Sequence, residues 1–179
     1  MTTGDVVYVA LFASLMAAFA LFPPIIIPVL NVPITLQSIG PMLAGGVLGA
    51  RKGAFSITLF LTLTAIGLPL LPGGKCGFAP FFGPSGGFLI GWIAAAAVIG
   101  LITQHRPSGY VGTLSTCLFG GILCLYLIGV PWAAHVARLT LKQAFLTSTI
   151  FLIGDTIKAC IAAKVIVTVR QFRLGTHAT

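Results

Sequence analysis

The residues most able to do chemistry in this 179-residue chain are Asp155 and Lys158, three positions apart inside a long apolar segment. The whole chain has only two acidic residues. Each charge placed in a membrane helix costs about 2.5–3.5 kcal/mol. Side chains three positions apart leave the same face of a helix, so the two charges can neutralise each other. We expect the pair to be reserved for a ligand; the alternative is an ion pair that only holds helices together.

This pair suits a neutral heterocycle with one carbonyl group and adjacent N–H groups. The carboxylate accepts hydrogen bonds from N–H, while the ammonium donates to the carbonyl oxygen. Gln37 and Thr35, at the start of the second apolar segment, offer further donors and acceptors, or are ordinary helix-start residues. Three aromatic rings could cover an apolar part of the ligand or simply pack within the membrane protein: Phe81, Phe82 and Phe88.

The composition indicates that these residues lie in a membrane protein. Hydrophobic residues make up 58% of the chain and charged residues 7%, whereas soluble domains carry roughly 25% charged residues. This excludes a water-soluble enzyme, a DNA-binding domain and a disordered tail. The net charge of +8 therefore indicates basic loops that orient the chain in the bilayer, not a nucleic-acid partner. The four cysteines form no CxxC pair, so we expect no disulfide framework, metal site or cofactor.

The apolar segments predict an all-α polytopic fold in one integral membrane domain over residues 1–179. A spanning helix needs about 20 apolar residues, and proline, glycine and charged clusters separate six such segments. The first segment has no basic region before it, so we expect a retained span, not a cleaved signal peptide. The expected spans are about 6–22, 34–50, 54–71, 87–104, 111–133 and 144–169.

The longest connection, residues 72–87, contains six glycines and three prolines yet is also apolar. Such a loop does not belong free in water, and we expect it to fold back over the ligand as a lid on the outer face. Lys75 lies in this loop, where it would meet either a ligand carboxylate or lipid headgroups.

The basic residues predict the orientation in the membrane. The side with more of them should be cytoplasmic, which places both termini inside and the long loop outside. One side carries Arg51, Lys52, Arg106, Arg170 and Arg173, and the other carries Lys75, Arg138 and Lys142.

A stripe of small residues on the first helix predicts close helix packing. It either packs within the fold or docks another membrane subunit, and the first helix is the best candidate for docking because its stripe is the longest in the chain. Its members are Ala10, Ala13, Ser14 and Ala17.

Two short motifs suggest other activities. Residues 83–87 fit the G-x-S-x-G pattern around Ser85 and resemble the serine site of rhomboid intramembrane proteases. No histidine base occurs between His135 and His177, so Ser85 has no predicted activator there, and a serine hydrolase remains the weaker alternative. Residues 69–76 lack the first glycine and the final Ser/Thr of a phosphate-binding loop, so any ATP-driven step needs a partner.

Taken in order, these motifs resemble the BioY family, the biotin-binding S-components of energy-coupling factor (ECF) transporters, over about residues 6–170. The segments that carry the resemblance are residues 32–37, 51–53, 67–69, 83–91 and 154–158.

The resemblance implies a six-helix S-component fold that is not an enzyme and that captures biotin at the extracellular face. It implies that Asp155 and Lys158 contact biotin and that Phe88 packs against it. It also implies that the small face of the first helix docks a T-component, which works with two ATPase subunits. The glycine-rich outer loop that closes over biotin matches Gly73, Gly74, Gly86 and Gly87. The alternative within this fold is another vitamin with a urea- or amide-like ring.

Overall fold

A computed structural model describes residues 1–27, 32–105 and 109–175. Arg106 lies outside these ranges, and the side chain of Arg173 is likewise outside the description. The described chain is helical apart from one short antiparallel strand pair, β1 (Ile25–Ile27) and β2 (Val32–Ile34). The helices are α1 (Thr3–Ala18), α2 (Ile39–Leu48), α3 (Ala50–Ala65), α4 (Ala79–Phe82), α5 (Gly86–His105), α6 (Tyr110–Thr116), α7 (Cys124–Ala137) and α8 (Leu141–Gly175).

Short irregular helices extend or join these elements. A 3-10 turn, Phe19–Leu21, continues α1, and another, Leu36–Ser38, leads into α2. A π-helical segment, Cys117–Leu123, joins α6 to α7, so that residues 110–137 form one helical rod. In the described chain, three helical stretches are long and apolar enough to cross a membrane: Thr3–Leu21, Gly86–His105 and Tyr110–Ala137. Helix α8, which carries the charged pair, has 35 residues and is about 52 Å long, more than the roughly 30 Å of a bilayer core.

The second and third helices differ from the predicted spans of about 34–50 and 54–71. Strand β2 occupies residues 32–34, because Pro33 lacks the amide hydrogen that a helix needs and its β-branched neighbours favour extended backbone. Helix α2 therefore begins only at Ile39. Its last residue is Leu48, and Gly49 follows with a φ of 85°, which suits glycine. Helix α3 begins at the next residue and ends at Ala65.

Polar contacts identify one end of the helix bundle. Asp5 at the start of α1 forms an ion pair with Lys52 at the start of α3. Arg170 near the end of α8 donates hydrogen bonds to the carbonyl oxygens of Gly46 (3.2 Å) and Thr103 (2.8 Å), in the last turns of α2 and α5. The beginning of α1 and the last turns of α8 therefore lie at the same end of the bundle, and the 71–85 connection lies at the other.

Helix α5 lies at the centre, with α2, α3 and α7 packed against it. Gly45 of α2 lies directly on the backbone of Ala96 in α5. Small residues let membrane helices approach this closely, because association there depends on packing contacts.

We expect Gly45→Ala to lower the free energy of unfolding by about 1–3 kcal/mol. The added methyl group would overlap the Ala96 carbonyl oxygen, and backbone cannot move aside as a flexible side chain can. Thermal unfolding in detergent measures the effect. Gly4→Ala is the matched control, since Gly4 is exposed in the first turn of α1 and has room for a methyl group. Equal unfolding temperatures for both variants would contradict the close packing of α2 on α5.

Candidate ligand-binding site

Asp155 and Lys158 form a buried ion pair on α8. The Lys158 Nζ lies 3.0 Å from the Asp155 Oδ1, and the residues are only 8% and 6% exposed, respectively. The three-residue spacing thus brings the two charges together as the helical period requires. Within the described chain, the only other ion pair is the one between Lys52 and Asp5.

Ser38 connects this pair to the segment before α2. Its hydroxyl donates to the Asp155 Oδ1 at 3.2 Å and accepts from the Lys158 Nζ at 2.8 Å. An ammonium group has three N–H donors. Among the described residues, Asp155 and Ser38 accept two of the three N–H donors of Lys158, which leaves the third for a ligand carbonyl oxygen.

Tyr126 on α7 holds the other carboxylate oxygen. Its hydroxyl lies 3.2 Å from the Asp155 Oδ2 and 3.3 Å from the Ser148 carbonyl oxygen, to either of which it can donate. Its ring meets that of Phe88 edge-on, with centroids 6.2 Å apart. Ser38 and Tyr126 are not among the residues predicted from the sequence. Tyr126 could have been found because it is one of only three tyrosines in the chain and lies inside an apolar segment. A buried tyrosine hydroxyl needs a polar partner.

Gln37 is fully buried and ties three parts of the chain together. Its Nε2 donates to the carbonyl oxygens of Met16 in α1 (2.9 Å) and Leu70 after α3 (2.8 Å). Its Oε1 is buried and accepts no hydrogen bond from the described residues. An unmade buried hydrogen bond costs about 1–3 kcal/mol, so a ligand donor that reached this oxygen would recover that energy.

A cavity of about 70 Å³ lies beside Gln37. Its wall includes four polar side chains, those of Thr35, Gln37, Lys75 and Ser85, and two aromatic rings, those of Phe88 and Trp92. The structure thus brings together residues from the start of α2, the 72–87 segment and α5. Phe88 connects the cavity to the ion pair, because its ring packs against that of Tyr126, whose hydroxyl lies beside Asp155.

The segment expected to form one lid, 72–87, divides into three parts. Gly73 and Gly74 have φ angles of 77° and 72° and form a turn closed by a bridge between Leu71 and Lys75. Helix α4 follows, and α5 already begins at Gly86.

Gly86 and Gly87 are therefore residues of the first turn of α5, which corrects their placement in the outer loop. Both are buried: a Cβ on Gly86 would overlap the Phe81 carbonyl group, and a Cβ on Gly87 would overlap the Trp132 side chain. Trp132 itself donates from Nε1 to the Gly83 carbonyl oxygen at 3.0 Å. Gly87 thus makes room for a tryptophan side chain and Gly86 for the Phe81 backbone, packing requirements that look the same in sequence as a glycine-rich loop.

The three phenylalanines have different surroundings. Phe88 lines the cavity, and Phe81 is half-buried against the core beside it. Phe82 is 73% exposed, so it does not cover the cavity.

The small-residue stripe of α1 is only partly open. Ala10 and Ser14 are exposed and Ala17 is half-buried, but Ala13 is only 5% exposed and belongs to the core, which corrects its place on a docking face. The Ser14 hydroxyl donates to the Ala10 carbonyl oxygen at 2.9 Å, so the open face is effectively apolar.

Ser85 lacks the partner that a serine nucleophile requires. Its hydroxyl donates to the Pro80 carbonyl oxygen at 3.4 Å, and no histidine in the described ranges forms a hydrogen bond with it. A serine without an adjacent base is a weak nucleophile.

Comparison with known proteins decides the family. The model of the BioY family matches residues 1–174. The chain belongs to the BioY family. This is a family of transporters, so the prediction that the protein is not an enzyme is confirmed.

Individual BioY proteins match over nearly their whole length. "Biotin transporter BioY" of Rhizobium etli is 47% identical, with 91% of each chain covered. "Probable biotin transporter BioY" of Bacillus subtilis is 39% identical, with 93% of this chain and 90% of the relative covered.

A solved structure confirms the fold. It is described as the crystal structure at 2.1 Å of the S-component for biotin from an ECF-type ABC transporter. It matches this BioY chain with a TM-score of 0.90 and 32% identity, covering 96% of this chain and 95% of the other. The predicted all-helical, multi-pass S-component fold is therefore confirmed.

Proposed function

We propose that this protein is the biotin-binding S-component of an ECF transporter and that it takes up biotin from outside the cell. The observation that carries this proposal is the buried pair of Asp155 and Lys158, one carboxylate and one ammonium with hydrogen-bonding capacity to spare, in a member of the BioY family.

The ureido ring of biotin fits the pair group by group. One ring N–H donates to the Asp155 Oδ2, whose second lone pair remains after the Tyr126 hydroxyl is counted. The ring carbonyl oxygen accepts the remaining N–H of Lys158. Because both partners are charged, these hydrogen bonds are roughly twice as strong as neutral ones.

The neighbouring cavity, at about 70 Å³, is smaller than the roughly 300–1,000 Å³ typical of ligand pockets and must widen as the rest of biotin extends into it. The apolar ring of biotin packs against Phe88 and Trp92, and Thr35 and Gln37 offer polar contacts alongside. The carboxylate tail lies nearer the turn at Gly73 and Gly74, and we assign it no individual partner.

The bundle end with the Asp5–Lys52 pair and Arg170 is the cytoplasmic end in this proposal, with both termini inside. The majority of basic residues at that end supports this orientation. The exposed face at Ala10 and Ser14, with Ala17 at its edge, docks a T-component, which works with two ATPase subunits. The bilayer surrounds the helices, and ATP hydrolysis takes place on the partner subunits.

A binding panel of labelled vitamins tests the assignment. Purified protein in detergent is incubated with labelled biotin, thiamine or riboflavin, and the bound label is counted. We expect saturable binding of biotin alone. A preference for thiamine or riboflavin would keep the fold and overturn the substrate.

Tyr126→Phe should weaken biotin binding about tenfold, because a hydrogen bond to a charged group contributes about 1.5 kcal/mol or more. The phenylalanine ring keeps the edge-on contact with Phe88, so the loss reports the hydroxyl alone. Tyr8→Phe, an exposed tyrosine on α1, is the control and should bind biotin like the wild type. Unchanged affinity in Tyr126→Phe would show that the hydroxyl does not hold the carboxylate for the ligand.

A further inference from the structure

Lys164 is a lysine of α8 that takes no part in the site described above. It lies six residues after Lys158 and six before Arg170, about 9 Å along the helix axis from each. Its side chain is exposed and lines an open groove of about 410 Å³ together with Tyr110, Val167 and Thr168.

The chain itself supplies no acidic side chain to neutralise Lys164. It has only two acidic residues. Asp155 is paired with Lys158, and Asp5 is paired with Lys52. An ammonium group on a membrane-spanning helix is costly without a counter-charge, and neither acidic side chain of the chain is available to supply one for Lys164.

The position of Lys164 along α8 limits where a counter-charge can reach it. Arg170 bonds to carbonyl oxygens in the last turns of α2 and α5, which marks the polar end of the bundle. A lysine about 9 Å deeper can extend its ammonium toward that level while its methylene groups stay in the apolar layer. Tyr110, the first residue of α6, forms the groove's other wall, and tyrosine is enriched at the headgroup level of membranes.

We propose that this groove binds the phosphate group of an anionic phospholipid, in the leaflet at the Arg170 end of the bundle. A phosphate oxygen accepts a hydrogen bond from the Lys164 ammonium, and the glycerol and upper acyl chain pack on the Tyr110 ring and Val167. The Thr168 hydroxyl already donates to the Lys164 carbonyl oxygen at 3.0 Å, so Lys164 is the donor that matters. An anionic headgroup is favoured over phosphatidylcholine, whose own ammonium already offsets its phosphate. The proposal is independent of the biotin assignment.

Native mass spectrometry of the purified full chain, titrated with phosphatidylglycerol in detergent, tests the proposal. We expect one tightly bound phosphatidylglycerol in the wild type and about fivefold weaker binding in Lys164→Gln, since one basic residue near an anionic membrane surface contributes roughly that factor. Lys164→Arg should keep the lipid. Lys142→Gln removes an exposed lysine at the opposite end of α8 and should bind like the wild type. Thermal unfolding of each variant verifies that it is folded.

Three results would overturn the proposal. The first is equal phosphatidylglycerol binding by the wild type and Lys164→Gln, which would leave a carboxylate of a protein partner as the counter-charge. The second is phosphatidylcholine binding as tightly as phosphatidylglycerol. The third is displacement of the lipid by inorganic phosphate at equal concentration, which would assign the groove to a free anion. Because the headgroup comparison uses wild-type protein, it stays decisive even if Lys164→Gln does not fold.

Discussion

Replacing Asp155 with asparagine is expected to weaken biotin binding at least a hundredfold. The carboxylate faces Lys158, Ser38 and Tyr126 at 3.0–3.2 Å, and asparagine keeps only one of its two acceptor oxygens. The change also leaves the Lys158 ammonium buried without a counter-charge. Truncating a charged partner of a buried hydrogen bond costs about 2–5 kcal/mol of binding free energy, and 1.4 kcal/mol corresponds to a factor of ten in affinity.

Equilibrium binding of radiolabelled biotin measures this loss. Asp5→Asn is the matched control, because Asp5 is the only other acidic residue, is paired with Lys52, and lies at the other end of the bundle. Its biotin affinity should stay within about twofold of the wild type. Unchanged affinity in Asp155→Asn would show that the buried pair only holds helices together and does not bind biotin.

Removing both charges together should abolish biotin binding without loss of stability. In the double variant Asp155→Val with Lys158→Met, no charge is left unpaired, and replacing a buried ion pair by apolar residues of similar volume is often neutral or stabilising by about 1–4 kcal/mol. Tyr126 keeps the Ser148 carbonyl oxygen as a hydrogen-bond acceptor. The expected result is an unfolding temperature in detergent equal to or above that of the wild type, with no saturable biotin binding.

Lys158→Met alone is the companion variant, because it leaves Asp155 buried without its partner. It should unfold well below both the wild type and the double variant. A double variant that unfolds as easily as the single one would show that the pair stabilises the bundle. A double variant that still binds biotin would place the biotin site elsewhere.

The buried ion pair of Asp155 and Lys158 could be predicted from sequence because its signal is local. A carboxylate and an ammonium three residues apart in an apolar helix share one face whatever surrounds them, and the structure places them 3.0 Å apart. The positive φ of Gly73 and Gly74 likewise follows from a local turn. The helical fold follows from the apolar segments, because a segment that crosses a bilayer must form its backbone hydrogen bonds within the protein.

Other features depend on partners distant in the chain, which spacing does not reveal. Gly87 faces Trp132, about 45 residues away, so its packing role is invisible in a glycine-rich run. Ala13 turns inward because α3 packs against α1. Ser38 reaches the ion pair across 117 residues, and only the packing of α2 on α8 brings them together.

The most direct test of the central claim is a titration of biotin into the purified wild-type protein, followed by tryptophan fluorescence. The chain has two tryptophans, and Trp92 lines the cavity assigned to biotin, while Trp132 packs on the glycines at the start of α5. We predict a saturable fluorescence change that fits one site. Folded protein that shows neither this change nor any heat of binding with biotin would contradict the assignment of biotin to this site.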